Sequence, residues 1–93
     1  MLIEWAQAAE DDIVEAMAWY VRQADMETGR RIITRLFAAV DRLEVFPHAG
    51  RPGLLPETRE LVVPDLPYFI VYRITDKVEI LRVMHTSRLW VGE

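Results

Sequence analysis

The sequence predicts a two-layer α+β domain of order β-α-α-β-β-β, with an antiparallel helix hairpin packed on one face of a small, mainly antiparallel sheet. Three observations predict it. Between Glu57 and Trp90 the chain divides into three runs rich in β-branched and aromatic residues: Thr58–Val63, Tyr68–Ile74 and Val78–Met84. The breaks between them, Pro64-Asp65-Leu66-Pro67 and Thr75-Asp76-Lys77, are too short for parallel crossovers, so the runs form a meander. Upstream, two segments repeat apolar residues at three- and four-residue steps across a link that permits only a helix hairpin.

Taken in order, Met1–Trp5 alternates Leu2 and Glu4 with Ile3 and Trp5 and is a candidate extra strand. Gln7 to Ala24 reads as a helix whose stripe is Ala9, Ile13, Ala16 or Met17, Tyr20 and Ala24. Glu10, Asp11 and Asp12 lie in its early turns, where carboxylates complement the helix dipole. A solvated acidic face accounts for them without a metal or acid–base role. Glu27 to Phe46 reads as the second helix, with Ile33, Leu36 or Phe37, Val40 and Leu43 inward. Gly29 weakens it by roughly 1 kcal/mol relative to Ala. Pro47 ends it, because proline disfavours a helical residue before it. His48 to Pro56 is a loop by its Gly and Pro content.

Alternation assigns the faces of the meander. Leu61, Val63, Ile70, Tyr72, Leu81 and Val83 are expected under the helices. The open face then holds Glu60, Arg73 and Arg82 among Val62, Phe69, Val71, Val78 and Ile80. A slip of one residue reverses this grouping. An exposed apolar face with embedded arginines marks a partner site. The competing reading is that Arg73 and Arg82 only pair with Glu60 and Glu79 across the strands.

Composition narrows the function. The 93 residues are expected to form a single domain over 1–93. The net charge of −4 argues against non-specific nucleic-acid binding. Ten of the eleven cations are Arg, which suits bidentate pairing with carboxylates or phosphates. With no Cys, thiol and zinc-ribbon chemistry is excluded. The start lacks a signal-peptide pattern and no apolar run reaches spanning length, so a cytoplasmic protein without membrane association is expected. Only His48 and His85 are present, with no helical His pair, no phosphate-cradling glycine motif and no nucleophile elbow at Ser87, the sole serine. No metal and no cofactor are expected.

The best candidate site is the tail His85, Arg88 and Trp90. A histidine can transfer protons near neutral pH, an arginine can hold a phosphate, and a tryptophan can stack or anchor a partner. The plainer reading has His85 capping the sheet edge, Arg88 solvated and Trp90 covering the end of the core.

Four stretches together resemble the RelE/ParE superfamily of bacterial type II toxin–antitoxin toxins. They are Ala8-Ala9-Glu10-Asp11-Asp12-Ile13 running on to Tyr20; Leu43-Glu44-Val45-Phe46-Pro47 followed by Gly50-Arg51-Pro52-Gly53; Thr58-Arg59-Glu60-Leu61-Val62-Val63; and Tyr68-Phe69-Ile70-Val71-Tyr72-Arg73 followed by Ile80-Leu81-Arg82-Val83-Met84-His85 and Arg88-Leu89-Trp90. The resemblance covers nearly the whole chain. It implies a growth-inhibiting toxin held silent in a hetero-oligomer with a cognate antitoxin. It also implies one of two activities: ParE-like inhibition of DNA gyrase without chemistry, or RelE-like cleavage of mRNA on the ribosome. Fold alone does not choose between them. The ribonuclease branch has Arg directly after the middle-strand Tyr, where this chain has Phe69 after Tyr68, and it tends to be basic. Both departures favour the gyrase branch. On that reading Arg73, Arg82, His85, Arg88 and Trp90 are target or antitoxin contacts. On the ribonuclease reading His85 is the general acid or base, and Arg73, Arg82 and Arg88 hold the phosphate. A third reading is an interaction module without toxicity.

Overall fold

A computed structural model describes residues 1–87; Arg88 and Trp90, two of the expected site residues, lie outside the described residues. Among the described residues the chain runs β1 (Ile3–Trp5), α1 (Gln7–Gln23), α2 (Met26–Asp41), a 3-10 turn (Arg42–Glu44), β2 (Arg51–Pro52), β3 (Arg59–Val62), β4 (Tyr68–Ile74) and β5 (Val78–His85). The five strands form one sheet in the order β1-β5-β4-β3-β2. β1 lies parallel to β5, and the other neighbours are antiparallel. The two-layer α+β expectation therefore holds, with Met1–Trp5 contributing the extra strand. β2, inside the Gly- and Pro-rich stretch, is an addition. At two residues it is too short to show a period.

Local chemistry explains where the helices start and stop. Asp25 caps α2, its carboxylate accepting the Thr28 N–H at 2.7 Å. The α1–α2 crossing is close at Gly29, where an added Cβ would stand 2.9 Å from Met17 Sδ. The glycine that weakens the helix in isolation is thus what lets the pair approach. After Asp41 the second helix tightens into a 3-10 turn before Pro47. Among the described residues, no helix is long and apolar enough to cross a membrane.

The core lies between the helix pair and one sheet face. Leu36, Val40 and Leu43 from the α2 side meet Ile70, Tyr72, Val78 and Ile80 from the sheet. β3 and β4 pair Leu61 with Ile70 and Val62 with Phe69, as their alternation predicts. The expectation for β5 needs correction. Val78 and Ile80, assigned to the open face, are 0% exposed in the core, and Leu81, assigned under the helices, is only partly buried. The reason is a bulge: Val71 faces Arg82 while the next residue, Tyr72, faces Ile80, so Leu81 has no opposite number. One extra residue inverts the alternation halfway along the strand. Val78 and Ile80 on one side of it, and Val83 beyond it, all reach the same core.

Candidate functional site

Alternation and the bulge send the three described site residues in different directions. Arg73 sits on the open face opposite Glu79, its Nε donating to Oε1 at 2.7 Å. That bond, with one from the Thr75 hydroxyl, holds the Glu79 carboxyl below its ordinary range. The competing reading of Arg73 as a cross-strand ion-pair partner is therefore the arrangement seen. Glu60 is engaged elsewhere, by Arg51 at 3.1 Å.

Arg82 has a different partner from the one weighed for it. Pairing with β1 ends at Trp5 and Ile80, so beyond Ile80 the β5 edge is left for α1. Asp12 of α1 occupies that edge. Its carboxylate accepts from Arg82 Nε at 2.8 Å, from Arg82 Nη2 at 2.9 Å and from the Val83 N–H at 2.8 Å. Two parallel N–H bonds into one carboxylate are the favoured guanidinium geometry. The pairing with Asp12 pushes the already high Arg82 pKa up. Asp12 thus belongs to a structural pair, and only Glu10 and Asp11 of the early acidic run are fully solvated, Asp11 accepting from Gln7.

His85 lies opposite Tyr68, whose ring it meets edge to face at 5.2 Å. Its Nδ1 accepts the Ser87 N–H at 3.1 Å, with Ser87 Oγ at 2.6 Å. In the neutral ring the proton therefore resides on Nε2. His85 stands at the end of a groove of about 450 Å³ between α1 and β5, whose walls include Asp12, Glu15, Trp19 and Arg22. The structure brings His85 and Arg82 to this groove through Asp12 and leaves Arg73 on the opposite side of the sheet.

Of these four α1 residues the sequence reading weighs only Asp12, as part of a solvated acidic run, and it assigns no site role to Glu15, Trp19 or Arg22. Their signal was available, because positions 12, 15, 19 and 22 follow the three- and four-residue steps of one helix flank. Nothing in the helix alone says that this flank meets the end of β5. Chemically the groove offers acids, a guanidinium, an imidazole and a half-exposed indole, a mixture suited to gripping side chains of another macromolecule. Among the described residues no group of three His, Cys, Asp or Glu could hold a metal ion.

Comparison with known proteins agrees with this architecture. Residues 3–90 match the family described as the ParE toxin of the type II toxin–antitoxin system parDE. A protein of Sinorhizobium fredii (strain NBRC 101917 / NGR234) named Putative toxin Y4kP is 43% identical over 88 residues, covering 95% of this chain and 91% of its own. A solved structure described as the chromosomal ParDE TA system from P. aeruginosa superposes with a TM-score of 0.87 at 23% identity, over 94% of this chain and 97% of that one. At that identity the superposition speaks for the fold.

Proposed function

The chain belongs to the ParE toxin family of type II toxin–antitoxin systems, and from that membership we propose that it inhibits DNA gyrase in the cytoplasm and is silenced by a cognate antitoxin in a hetero-oligomer. The observation that supports gyrase over RNA cleavage is the state of the arginines. Cleaving a phosphodiester calls for cations aimed at the charge that develops on the phosphate. Here Arg82 is held bidentately by Asp12, and Arg73 is held by Glu79. A phosphate at either position would have to displace a carboxylate. The groove beside His85 also presents Asp12 and Glu15, and the chain carries a net charge of −4; both repel an RNA backbone. The test is a supercoiling assay with purified gyrase. Loss of supercoiling on adding the protein is expected, and full supercoiling with the protein in excess would refute the reading.

A ribosome-dependent ribonuclease is the second reading, and His85 is the observation in its favour. The Ser87 N–H fixes Nδ1 as an acceptor, which makes Nε2–H the donor of a ring that lines the groove. On this reading translating ribosomes exposed to the protein yield cut messages, and His85→Ala abolishes them. Intact messages beside inhibited gyrase decide for the first.

A further inference from the structure

Among the described residues Arg59 and Arg82 are the half-buried arginines, and they are compensated differently. Arg82 holds both oxygens of Asp12. Arg59 holds no carboxylate. Its Nη1 donates to the Gly50 carbonyl at 2.7 Å, and it forms no ion pair with any described residue. A guanidinium carries five N–H donors, so most of those on Arg59 are unspent. Its position is nonetheless fixed. Arg59 lies opposite Tyr72, and the Tyr72 hydroxyl accepts the N–H of the same Gly50 at 2.8 Å. At that phenol, where burial raises the pKa, the Gly50 N–H and then the Arg59 charge act the other way. A charge drawn part-way out of water is costly without a counter-charge, and such charges are as a rule found paired.

Arg59 borders a depression of about 570 Å³ between the loop that precedes β2, the β2–β3 turn and the end of β4. His48 and Thr75 bring polar groups to it, and Pro52 and Ile74 an apolar wall. Two acids bear on it. Glu79 is taken up by Arg73, which also lines the depression. Glu57 lines it as well, exposed and without an ion pair among the described residues. We propose that Arg59 anchors a binding site for the carboxylate of a small organic acid whose apolar body packs against Pro52 and Ile74. The planar guanidinium fork matches a carboxylate, as the Arg82–Asp12 pair shows within the same molecule. The charge balance selects a single negative charge. A monoanion in contact with Arg59 supplies the missing counter-charge. A phosphate dianion brings a second charge that no free cation of the lining answers and that Glu57 repels. The volume lies within the roughly 300–1,000 Å³ of small-molecule sites and exceeds what an inorganic anion fills. The depression shares no lining residue with the groove at His85, and the inference does not depend on gyrase being the target.

Titration of the full-length protein by NMR tests it with three probes at constant ionic strength: benzoate, its neutral twin benzamide, and phenyl phosphate. Benzoate is expected to shift the Arg59 Nε–H signal and the backbone amides of Gly53, Thr58 and Thr75. Benzamide should leave them in place, and phenyl phosphate should bind more weakly than benzoate. Arg59→Gln should weaken benzoate by at least about tenfold. That substitution also removes the bond to Gly50, so Glu57→Gln, at an exposed position of the rim, gives a second reading: benzoate should bind about twofold more tightly to it. Equal shifts with benzamide, tighter binding of phenyl phosphate, or benzoate shifts centred on the exposed arginines of α2 would each overturn the proposal. So would unchanged affinity in a folded Arg59→Gln protein, or unchanged or weaker affinity in Glu57→Gln.

Discussion

Tyr72 shows how much one side chain can organise. It is fully buried, and its hydroxyl donates to the Pro47 carbonyl at 2.7 Å and accepts the Gly50 N–H at 2.8 Å. Burial pushes its phenol up, which keeps the proton available for donation. The loop before β2 is therefore pinned to the core from inside, and Gly50 must be a glycine because a Cβ would lie 2.7 Å from that oxygen. Tyr72→Phe strands both backbone groups and should cost about 1–3 kcal/mol in urea unfolding. Asp12 makes a similar point at the surface. Asp12→Asn retains an acceptor for the Val83 N–H, so it should lower the urea midpoint less than Asp12→Ala does. Asp25 and Glu79 each contribute to the dependence of stability on acid. Thr28 holds the Asp25 carboxyl below its ordinary 3.8, and Arg73 holds Glu79 below its ordinary 4.5. A carboxyl lowered in the fold binds protons more weakly than it does in the unfolded chain. Its contribution is full above those ordinary values and is lost as pH falls through the lowered ones. The unfolding midpoint should therefore drop below about pH 4.5, and Asp25→Asn, which keeps the cap, should flatten the lowest part of that profile. Arg73 and Glu79 could be named as partners from sequence because they lie on adjacent antiparallel strands. Asp12 and Arg82 could not, being 70 residues apart on elements whose contact depends on where β1 stops.

Among the elements, β5 carries the sharpest test. Without the bulge, Leu81 would be core and Ile80 would be open; with it the roles exchange. Ile80→Ala is expected to cost about 2–5 kcal/mol, and Leu81→Ala less than half as much. Equal costs, or the reverse order, would contradict the register described. The elements themselves were largely legible. β4 spans the Tyr68–Ile74 predicted from its apolar run, and both helices follow from their stripes and from Pro47. The bulge was not legible because Ile80, Leu81 and Val83 are all aliphatic. A run of uniformly apolar residues alternates equally well in either phase, and only pairing with β4 chooses. The same blindness hid the groove, whose two walls come from elements that each look ordinary alone.

At the scale of the molecule, charge and apolar surface are sorted by side. The helix pair presents exposed acids and exposed arginines together, while the open sheet face closes its ions into pairs among apolar residues. A net charge conceals this sorting, since it sums over faces that never meet one partner together. The parallel ladder between β1 and β5 has its own consequence. Ile3 pairs with Val78, a separation of 78 − 3 = 75 residues, and Val78 and Ile80 complete the core on the same strand. A chain stopped at Lys77 should therefore stay unfolded by circular dichroism. During synthesis the first strand has nothing to join until the last one has left the exit tunnel, so a half-made copy cannot yet present the finished sheet to anything outside it.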